Sequence, residues 1–209
     1  MNKLYKQLAD GHSLSEIPED DHTFPICIFA VDINPDNIHH INLNIFETIE
    51  FVLLLETAFL SSRRQGNENN NFEFIPDPTL YGNYEEAIKI KPQIYQYFSI
   101  PDVIIESDDY RSFIYDISLC AVKNDADNYD FVPEDFRDDY NICEAAIINK
   151  PAIIDDIYST NDNYEELCKI AVDQDLSTIV LISDKNVRDN ILNSLNKDDR
   201  KKCIELLTY

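Results

Sequence analysis

Hydrophobic residues recur along the chain at helical spacing, and the same short pattern returns several times. In one copy Ile142 and Ala146 lie four residues apart, which places them on one stripe of an α-helix. Four copies align on one alanine, and apolar residues eight and eleven positions after it keep register. The aligned sets are Ala30 with Ile38 and Ile41, Ala121 with Tyr129 and Val132, Ala146 with Ile154 and Ile157, and Ala171 with Ile179 and Ile182.

The repeat has a period of 25 residues where it is most regular, since Ala121, Ala146 and Ala171 follow one another at that interval. A fifth copy is anchored on Ala87. A partial sixth copy lies at 17–27, where IPEDDHTFPIC matches the later VPEDFRDDYNIC with one deletion. An internal period of about 20 to 50 residues is typical of solenoid proteins.

Proline and acidic residues divide each copy into two helices. Pro151 comes directly after Asn149 and Lys150, and proline ends one helix but suits the first turn of the next. The Pro-Glu-Asp turn at 133–135 places acidic residues at the start of a following helix, where they are favourable. A hairpin this short cannot bury its apolar face alone, whereas stacked copies can. We therefore predict an all-α fold, a short α-solenoid of stacked helical hairpins.

The repeats predict the organisation of the whole chain as a single helical-repeat domain, 1–209. The repeats occupy about 17–45, 81–105, 112–136, 138–160 and 163–183, with an irregular insertion at 46–80 and a capping pair of helices at 184–209. Within the insertion, 47–60 is predicted to be an amphipathic helix. The polar stretch SSRRQGNENNN at 61–71 lacks periodicity and is predicted to be an exposed loop. Residues 99–112 form a longer connection.

The repeat motif, I-C-x-x-A followed by V-P-E-D, resembles a tandem-repeat family of bacterial and viral proteins known as a domain of unknown function. The motif is clearest at 142–157 and at 131–135. The resemblance covers about 17–45 and 81–182, and it does not extend over 46–78 or beyond 184. It implies an all-helical fold, and it supplies no activity and no catalytic residue.

Composition narrows the possible functions. Lys and Arg number 17 against 40 Asp and Glu, so the net charge is −23, and glycine occurs three times. Binding to a nucleic-acid backbone requires a basic surface, so direct nucleic-acid binding is not expected. Phosphate-binding loops of the Rossmann and P-loop types require clustered glycines, which are absent from the sequence. Scarce glycine agrees with a helical fold.

The lengths of the apolar runs bear on the compartment, and the spacing of cysteine and histidine bears on metal binding. The longest strongly apolar run, 51–55, is too short to span a bilayer, so we expect a cytoplasmic protein without membrane contact. Five cysteines without a C-x-x-C motif favour neither a disulfide framework nor a zinc site. His39 and His40 are adjacent and would point about 100° apart on a helix, so they would not bind one ion together. We expect no metal and no cofactor.

Cysteines and carboxylates are the candidate catalytic groups of this sequence. Cys27, Cys143 and Cys168 occupy the same position of the repeat, which favours small core residues over a row of reactive thiols. No nucleophile motif such as G-x-S-x-G occurs. Acidic pairs are numerous and nothing singles out one of them, so the chain is not expected to be an enzyme. A hydrolase or transferase that uses carboxylates is the alternative left open.

Repetition would gather the acidic residues into a negative surface, which speeds association with a basic partner. We therefore predict an acidic protein-binding module that captures and neutralises a basic protein, such as a toxin or nuclease, in the manner of an immunity protein or inhibitor. Charge alone does not separate this role from a nucleic-acid mimic or from a secreted effector that engages a host protein. The predicted partner-binding residues are Glu134, Asp135, Asp138, Asp139, Asp155, Asp156, Glu165 and Glu166.

Overall fold

The computed structural model describes residues 3–64, 81–98 and 108–208, and the regular elements in these ranges are α-helices and 3₁₀ helices. The all-α prediction is therefore confirmed. The chain divides into two compact units, Met1–Ile114 and Tyr115–Tyr209, each described by itself. No helix in the described ranges is long and apolar enough to cross a bilayer.

The first unit is built around its longest complete helix, α3. The α-helices are α1 (Lys3–Ala9), α2 (Phe24–Ile33), α3 (Thr48–Arg64), α4 (Tyr81–Ile90) and the beginning of α5 (Asp108–Asn124). The 3₁₀ helices are Leu14–Glu16, Glu19–Asp21, Pro35–His40, Leu43–Ile45 and Pro92–Tyr97. Helix α3 packs against α2 and α4. Phe51 of α3 and Tyr84 of α4 are fully buried and meet edge to face, with ring centroids 5.2 Å apart.

The second unit continues from α5 with a regular alternation of α-helices and 3₁₀ helices. Its α-helices are α6 (Glu134–Arg137), α7 (Tyr140–Asn149), α8 (Tyr164–Gln174), α9 (Lys185–Ser194) and α10 (Lys197–Leu206). Its 3₁₀ helices are Ala126–Phe131, Pro151–Asp156 and Leu176–Val180. Helix α7 packs against α8, and the 3₁₀ helices at 151–156 and 176–180 contact each other. Successive copies therefore lie side by side within this unit.

The five anchor alanines share one local geometry. Each is completely buried, and each carbonyl oxygen accepts a hydrogen bond of 2.8–2.9 Å from the backbone N–H four residues later. The pairs are Ala30 with Asn34, Ala87 with Lys91, Ala121 with Asp125, Ala146 with Lys150 and Ala171 with Asp175. This is the last hydrogen bond of the α-helix in every copy, so the anchor marks where the chain turns.

The second half of each copy is a 3₁₀ helix of five or six residues, not a second long helix as in a helical hairpin. The side chains of Asn34, Asp125 and Asp175 accept the backbone N–H two residues later at 3.1, 3.0 and 2.8 Å, which starts a tight turn. A 3₁₀ helix has three residues per turn. Apolar residues three apart, such as Ile154 and Ile157, therefore lie on one side of it and are buried.

The predicted helix at 47–60 is confirmed, and it continues to Arg64. The prediction of an exposed loop from residue 61 onwards is wrong for 61–64, because Ser61 and Ser62 are buried. The Ser61 hydroxyl donates to the Asp32 carbonyl at 2.6 Å, and Arg64 forms an ion pair with the Asp32 side chain. These contacts hold the polar end of α3 against the end of α2.

Parts of three predicted segments lie outside the described residues. These are 65–71 of the predicted loop, the rest of the insertion up to residue 80, and 99–107 of the predicted connection with the end of the repeat at 81–105. The remainder of that connection, 108–112, is the first part of α5. At the other end of the chain, 184–208 contains the two expected helices, capped by Asp184 and Asn196.

Candidate protein-binding surface

A surface groove of about 440 Å³ runs between α5 and α7 in the second unit. Its lining residues are Tyr115, Leu119, Lys123, Asn141, Glu144, Ala145, Ile148 and Asn149. Asn149 also borders a pocket of about 380 Å³, lined in addition by Asn124, Asp125, Ala126, Asp127 and Lys150. The groove and the pocket thus adjoin at the carboxyl ends of the two helices.

Helical spacing explains why these side chains meet. Tyr115, Leu119 and Lys123 recur every four residues, so they share one face of α5. On α7 the small side chain of Ala145 leaves room in the middle, and Ile148 is 52% exposed beside it. Leu119, Ala145 and Ile148 therefore give the groove an apolar floor that solvent reaches.

An asparagine fixes one end of the groove. The Asn149 side-chain amide donates to the carbonyl oxygens of Ala145 and Lys123 at 3.1 Å, and approaches that of Val122 at 3.4 Å. Carbonyl groups in the last turn of a helix have no partner within that helix. The Asn149 amide on α7 supplies a hydrogen-bond donor to the last carbonyl groups of α5, and so connects the two walls of the groove.

Tyrosine and carboxylate side chains form the other end. The Tyr115 hydroxyl donates to Asp139 at 3.2 Å and accepts from the Asn141 amide at 3.0 Å. The same carboxylate oxygen of Asp139 accepts the backbone N–H groups of Asn141 and Ile142 at 2.9 and 3.2 Å. Asp139 is therefore the N-cap of α7 as well as a predicted partner-binding residue. Burial, with the negative charge of Asp139, raises the pKa of Tyr115.

Tyr140 follows Tyr115 by 25 residues and occupies the equivalent place in the next copy. Its hydroxyl lies 3.1 Å from a carboxylate oxygen of Glu144 and 3.4 Å from one of Glu166 on α8. Partial burial and these two hydrogen bonds raise the pKa of Tyr140 to about 12. The single phenol hydrogen thus lies between carboxylates on two successive helices, with Glu144 the nearer acceptor.

The eight predicted acidic residues all lie where a 3₁₀ helix connects to the next α-helix. We name 130–141 and 155–166 the connecting segments. They contain Glu134, Asp135, Asp138 and Asp139 in the first and Asp155, Asp156, Glu165 and Glu166 in the second. The Asn161 amide donates to the Asp138 carbonyl at 2.9 Å, so the two segments contact each other directly.

These carboxylates have different environments. Glu134, Asp135, Asp138, Asp155, Asp156 and Glu166 are exposed, whereas Asp139 and Glu165 are half-buried. Glu165 forms an ion pair with Lys169 at 3.2 Å. Partial burial and the neighbouring charges of Asp130 and Asp155 raise the pKa of Asp156. These carboxylates are thus close enough to repel one another, which indicates a region of negative potential.

Charge is distributed unevenly along the second unit. Residues 115–183 contain 16 acidic and 4 basic side chains, whereas residues 184–209 contain 5 acidic and 6 basic ones. The repeats therefore carry a large negative charge that the helices α9 and α10 do not share.

The three cysteines that share one repeat position are buried, and the two adjacent histidines are exposed. Cys27, Cys143 and Cys168 are buried, and burial raises the pKa of each thiol to about 11. His39 and His40 are exposed at the end of a 3₁₀ helix. Across residues 3–64, 81–98 and 108–208, no group of three or more His, Cys, Asp or Glu side chains could hold a metal ion.

The groove was not predicted from the sequence, although one signal pointed to it. Tyr115 and Tyr140 are separated by one full period and both face polar partners on the next helix. Glu144 lies on the same face and was not among the predicted residues. A repeat-by-repeat comparison of exposed positions, in addition to buried ones, would have found all three.

Comparison with known proteins adds no relative: the chain matches no protein-family model, no curated protein and no solved structure. The resemblance of the repeat motif to a family therefore stays a prediction.

Proposed function

We propose that this chain is an acidic helical-repeat module that captures and neutralises a basic protein in the cytoplasm, as an immunity protein or inhibitor does. In this proposal the copies stack as a short α-solenoid, and α9 with α10 caps its end. The observation that carries the proposal is the set of exposed carboxylates on the connecting segments, the first of which meets the apolar-floored groove at Asn141.

The carboxylates serve the first stage of binding, the encounter. A surface with one sign of charge attracts an oppositely charged partner and raises its association rate. Asp155 and Asp156 lie beside Asp130, and the charge of Asp130 contributes to the raised pKa of Asp156. Lys150 and Arg137 offset part of that repulsion, and a cationic side chain of the partner placed among the carboxylates would reduce it further.

The groove serves the second stage, the anchoring of the partner. Binding energy is concentrated in a few side chains that fill pockets, and the floor of Leu119, Ala145 and Ile148 suits an apolar or aromatic anchor. Glu144 lines the groove. The Tyr140 hydroxyl lies within hydrogen-bond distance of both Glu144 and Glu166. A segment with an apolar residue flanked by Lys or Arg therefore fits both the floor and the carboxylates.

Affinity capture from the native source tests the proposal, with the full-length chain as bait and mass spectrometry of the bound proteins. We expect a basic protein that binds at about 0.05 M salt and is released at about 0.5 M, because salt screens exposed charges. Glu134→Gln/Asp155→Asn/Asp156→Asn should weaken its binding. The control Asp10→Asn/Asp20→Asn/Asp21→Asn removes as many exposed charges from the first unit and should not.

A second pair of variants tests the groove. Ile148→Ser removes an exposed apolar side chain from the floor and should weaken capture, whereas Ile49→Ser removes a similarly exposed one from α3 and should leave it unchanged. Captured proteins that are not basic, or that bind all variants equally at both salt concentrations, would contradict the proposed function.

A further inference from the structure

The last helix, α10, has a cationic outer face. Arg200 and Lys201 lie three and four residues after Lys197, and Ile204 lies four and three residues after them, so these residues share one side of the helix. Cys203, about 100° round the helix from Ile204, is buried and packs on the 3₁₀ helix at 176–180. We name Lys197, Arg200, Lys201 and Ile204 the cationic face. All four of its side chains are exposed to solvent.

The charges of this face are not neutralised within their own helix. Lys197 and Arg200 form no ion pair with any residue in the described ranges of the chain. Lys201 lies 3.8 Å from Glu205, but both side chains are more than half exposed, so solvent weakens that pair. Ile204 is 45% exposed among the three cations. An apolar residue ringed by positive charge is a pattern that a complementary surface would cover.

The connecting segments have the complementary pattern. Phe131 is 48% exposed and Tyr158 is 59% exposed, and each lies within three residues of exposed carboxylates. Asp130 precedes Phe131, and Asp155 and Asp156 precede Tyr158. An apolar contact with Ile204, surrounded by pairs between these carboxylates and the cationic face, would satisfy both surfaces.

We propose that the cationic face of α10 binds the connecting segments of a second copy of this chain, so that the protein associates with itself. The contact is between two molecules because both surfaces are exposed to solvent within one chain. It requires no other partner, so the purified chain tests it without the basic protein. Because both associations use the carboxylates of the connecting segments, a bound basic protein and a second copy would compete.

Salt should affect this association in two opposite ways. Each copy carries a net charge of −23, so the copies repel one another at about 0.01 M salt, where charges act over about 30 Å. At about 0.15 M salt the screening length falls to about 8 Å, which removes the distant repulsion and retains the contact pairs. At about 1 M salt the contact pairs are screened as well. We expect association to be strongest at the intermediate salt concentration.

Sedimentation equilibrium of the purified full-length chain tests the proposal. The wild-type protein should show an average mass above that of the 24.3 kDa monomer, rising with concentration at about 0.15 M salt. Arg200→Glu/Lys201→Glu should weaken association by about tenfold or more, since attraction becomes repulsion at the contact. Lys3→Glu/Lys185→Glu makes the same change in net charge at exposed positions elsewhere and should change association less than about twofold.

A charge swap identifies the surface that the face binds. Asp155→Lys/Asp156→Lys, mixed with Arg200→Glu/Lys201→Glu, should restore an association that each variant lacks alone. Arg200→Gln/Lys201→Gln, together with circular dichroism of every variant, separates loss of charge from loss of the helix. A wild-type protein that is monomeric at all three salt concentrations, equal weakening by the control, or a swap without recovery would overturn the proposal.

Discussion

The repeats at 115–183 and the helix pair α9–α10 are held in place by different means. In the repeats, α7 alone buries five residues, Ile142, Cys143, Ala145, Ala146 and Ile147. In the pair, α9 buries Ile191 and Leu192, and α10 buries Cys203. Both regions have well-formed N-caps, so capping does not distinguish them. The difference is the amount of apolar surface removed from water, which contributes most of the stability of a packed helix.

The largest expected effect comes from removing a buried side chain from a repeat, compared with removing an exposed one from α10. Ile154→Ala removes a fully buried side chain from a repeat and should lower the free energy of unfolding by about 3 kcal/mol. Ile204→Ala in α10 removes a side chain that is 45% exposed and should change it by less than about 0.5 kcal/mol. Urea denaturation followed by circular dichroism measures both. Equal losses would show that the two regions are packed alike.

Thiol labelling should separate the two regions without any mutation. Cys143 and Cys203 are both completely buried, but Cys203 lies in a helix with little other buried surface. Local opening exposes such a helix more often than a core helix. An aromatic disulfide reagent should therefore label Cys203 about tenfold faster than Cys143 or more, with Cys120, which is half-buried, labelled before either. Equal rates for Cys143 and Cys203 would mean that the unit opens as a whole.

Removal of an N-cap side chain should lower the free energy of unfolding by about the same amount in each region. Asp139 accepts two backbone N–H groups at the start of α7, and Asp184 does so at the start of α9. Asp139→Ala and Asp184→Ala should each lower the free energy of unfolding by about 1 kcal/mol. The conservative variants Asp139→Asn and Asp184→Asn should keep most of the wild-type stability, because asparagine also caps helices. A much larger loss for Asp139→Ala would indicate that its contact with Tyr115 contributes substantially.

The smallest expected effect concerns pH and is confined to the repeats, since residues 184–208 contain no tyrosine. The pKa of Tyr140 is raised to about 12, whereas an unfolded tyrosine titrates near 10. The native phenol therefore keeps its proton where the unfolded chain has lost it. The stability that this group contributes is complete below about pH 10 and is lost as the pH rises to about 12.

Difference absorbance between the wild type and Tyr140→Phe isolates that titration. The difference spectrum should show one phenol that ionises at a pH well above the usual range for tyrosine. Glu144→Gln should lower the pKa of Tyr140, because one carboxylate charge is removed. A Tyr140 that ionises near pH 10 would contradict the hydrogen bonds to Glu144 and Glu166.

The helical repeat could be predicted from the sequence because its determinants are buried and recur. An alanine such as Ala146 and the apolar residues after it must have the same character in every copy for the copies to pack. The 3₁₀ form of the second half was missed, although apolar residues three apart, such as Ile154 and Ile157, are compatible with it. The buried serines Ser61 and Ser62 could not be foreseen, because their burial depends on contacts with α2.

The binding surface was harder to predict, because exposed positions differ from copy to copy. The predicted acidic residues do lie in equivalent connecting segments, but at different offsets from the anchor alanine: Asp155 corresponds to Asp130, and Glu165 to Tyr140. The groove instead combines Leu119 of one copy with Ala145 and Ile148 of the next. Such a combination depends on the distance between two helices, and the spacing of residues within one helix does not determine it.

The way in which each copy turns has a consequence for how the chain could change in length. In the described residues only Gly11 has a positive φ, so the turns at Asn34, Asp125 and Asp175 use ordinary backbone conformations and a side-chain acceptor. The turns at Lys91 and Lys150 have no side-chain acceptor, but the backbone φ of all five turn residues lies between −140° and −155°, so each copy ends in closely similar backbone geometry. A gene duplication or deletion of one whole 25-residue copy would join two compatible turns without requiring a glycine at the junction, so length variants that differ by whole copies are structurally accessible.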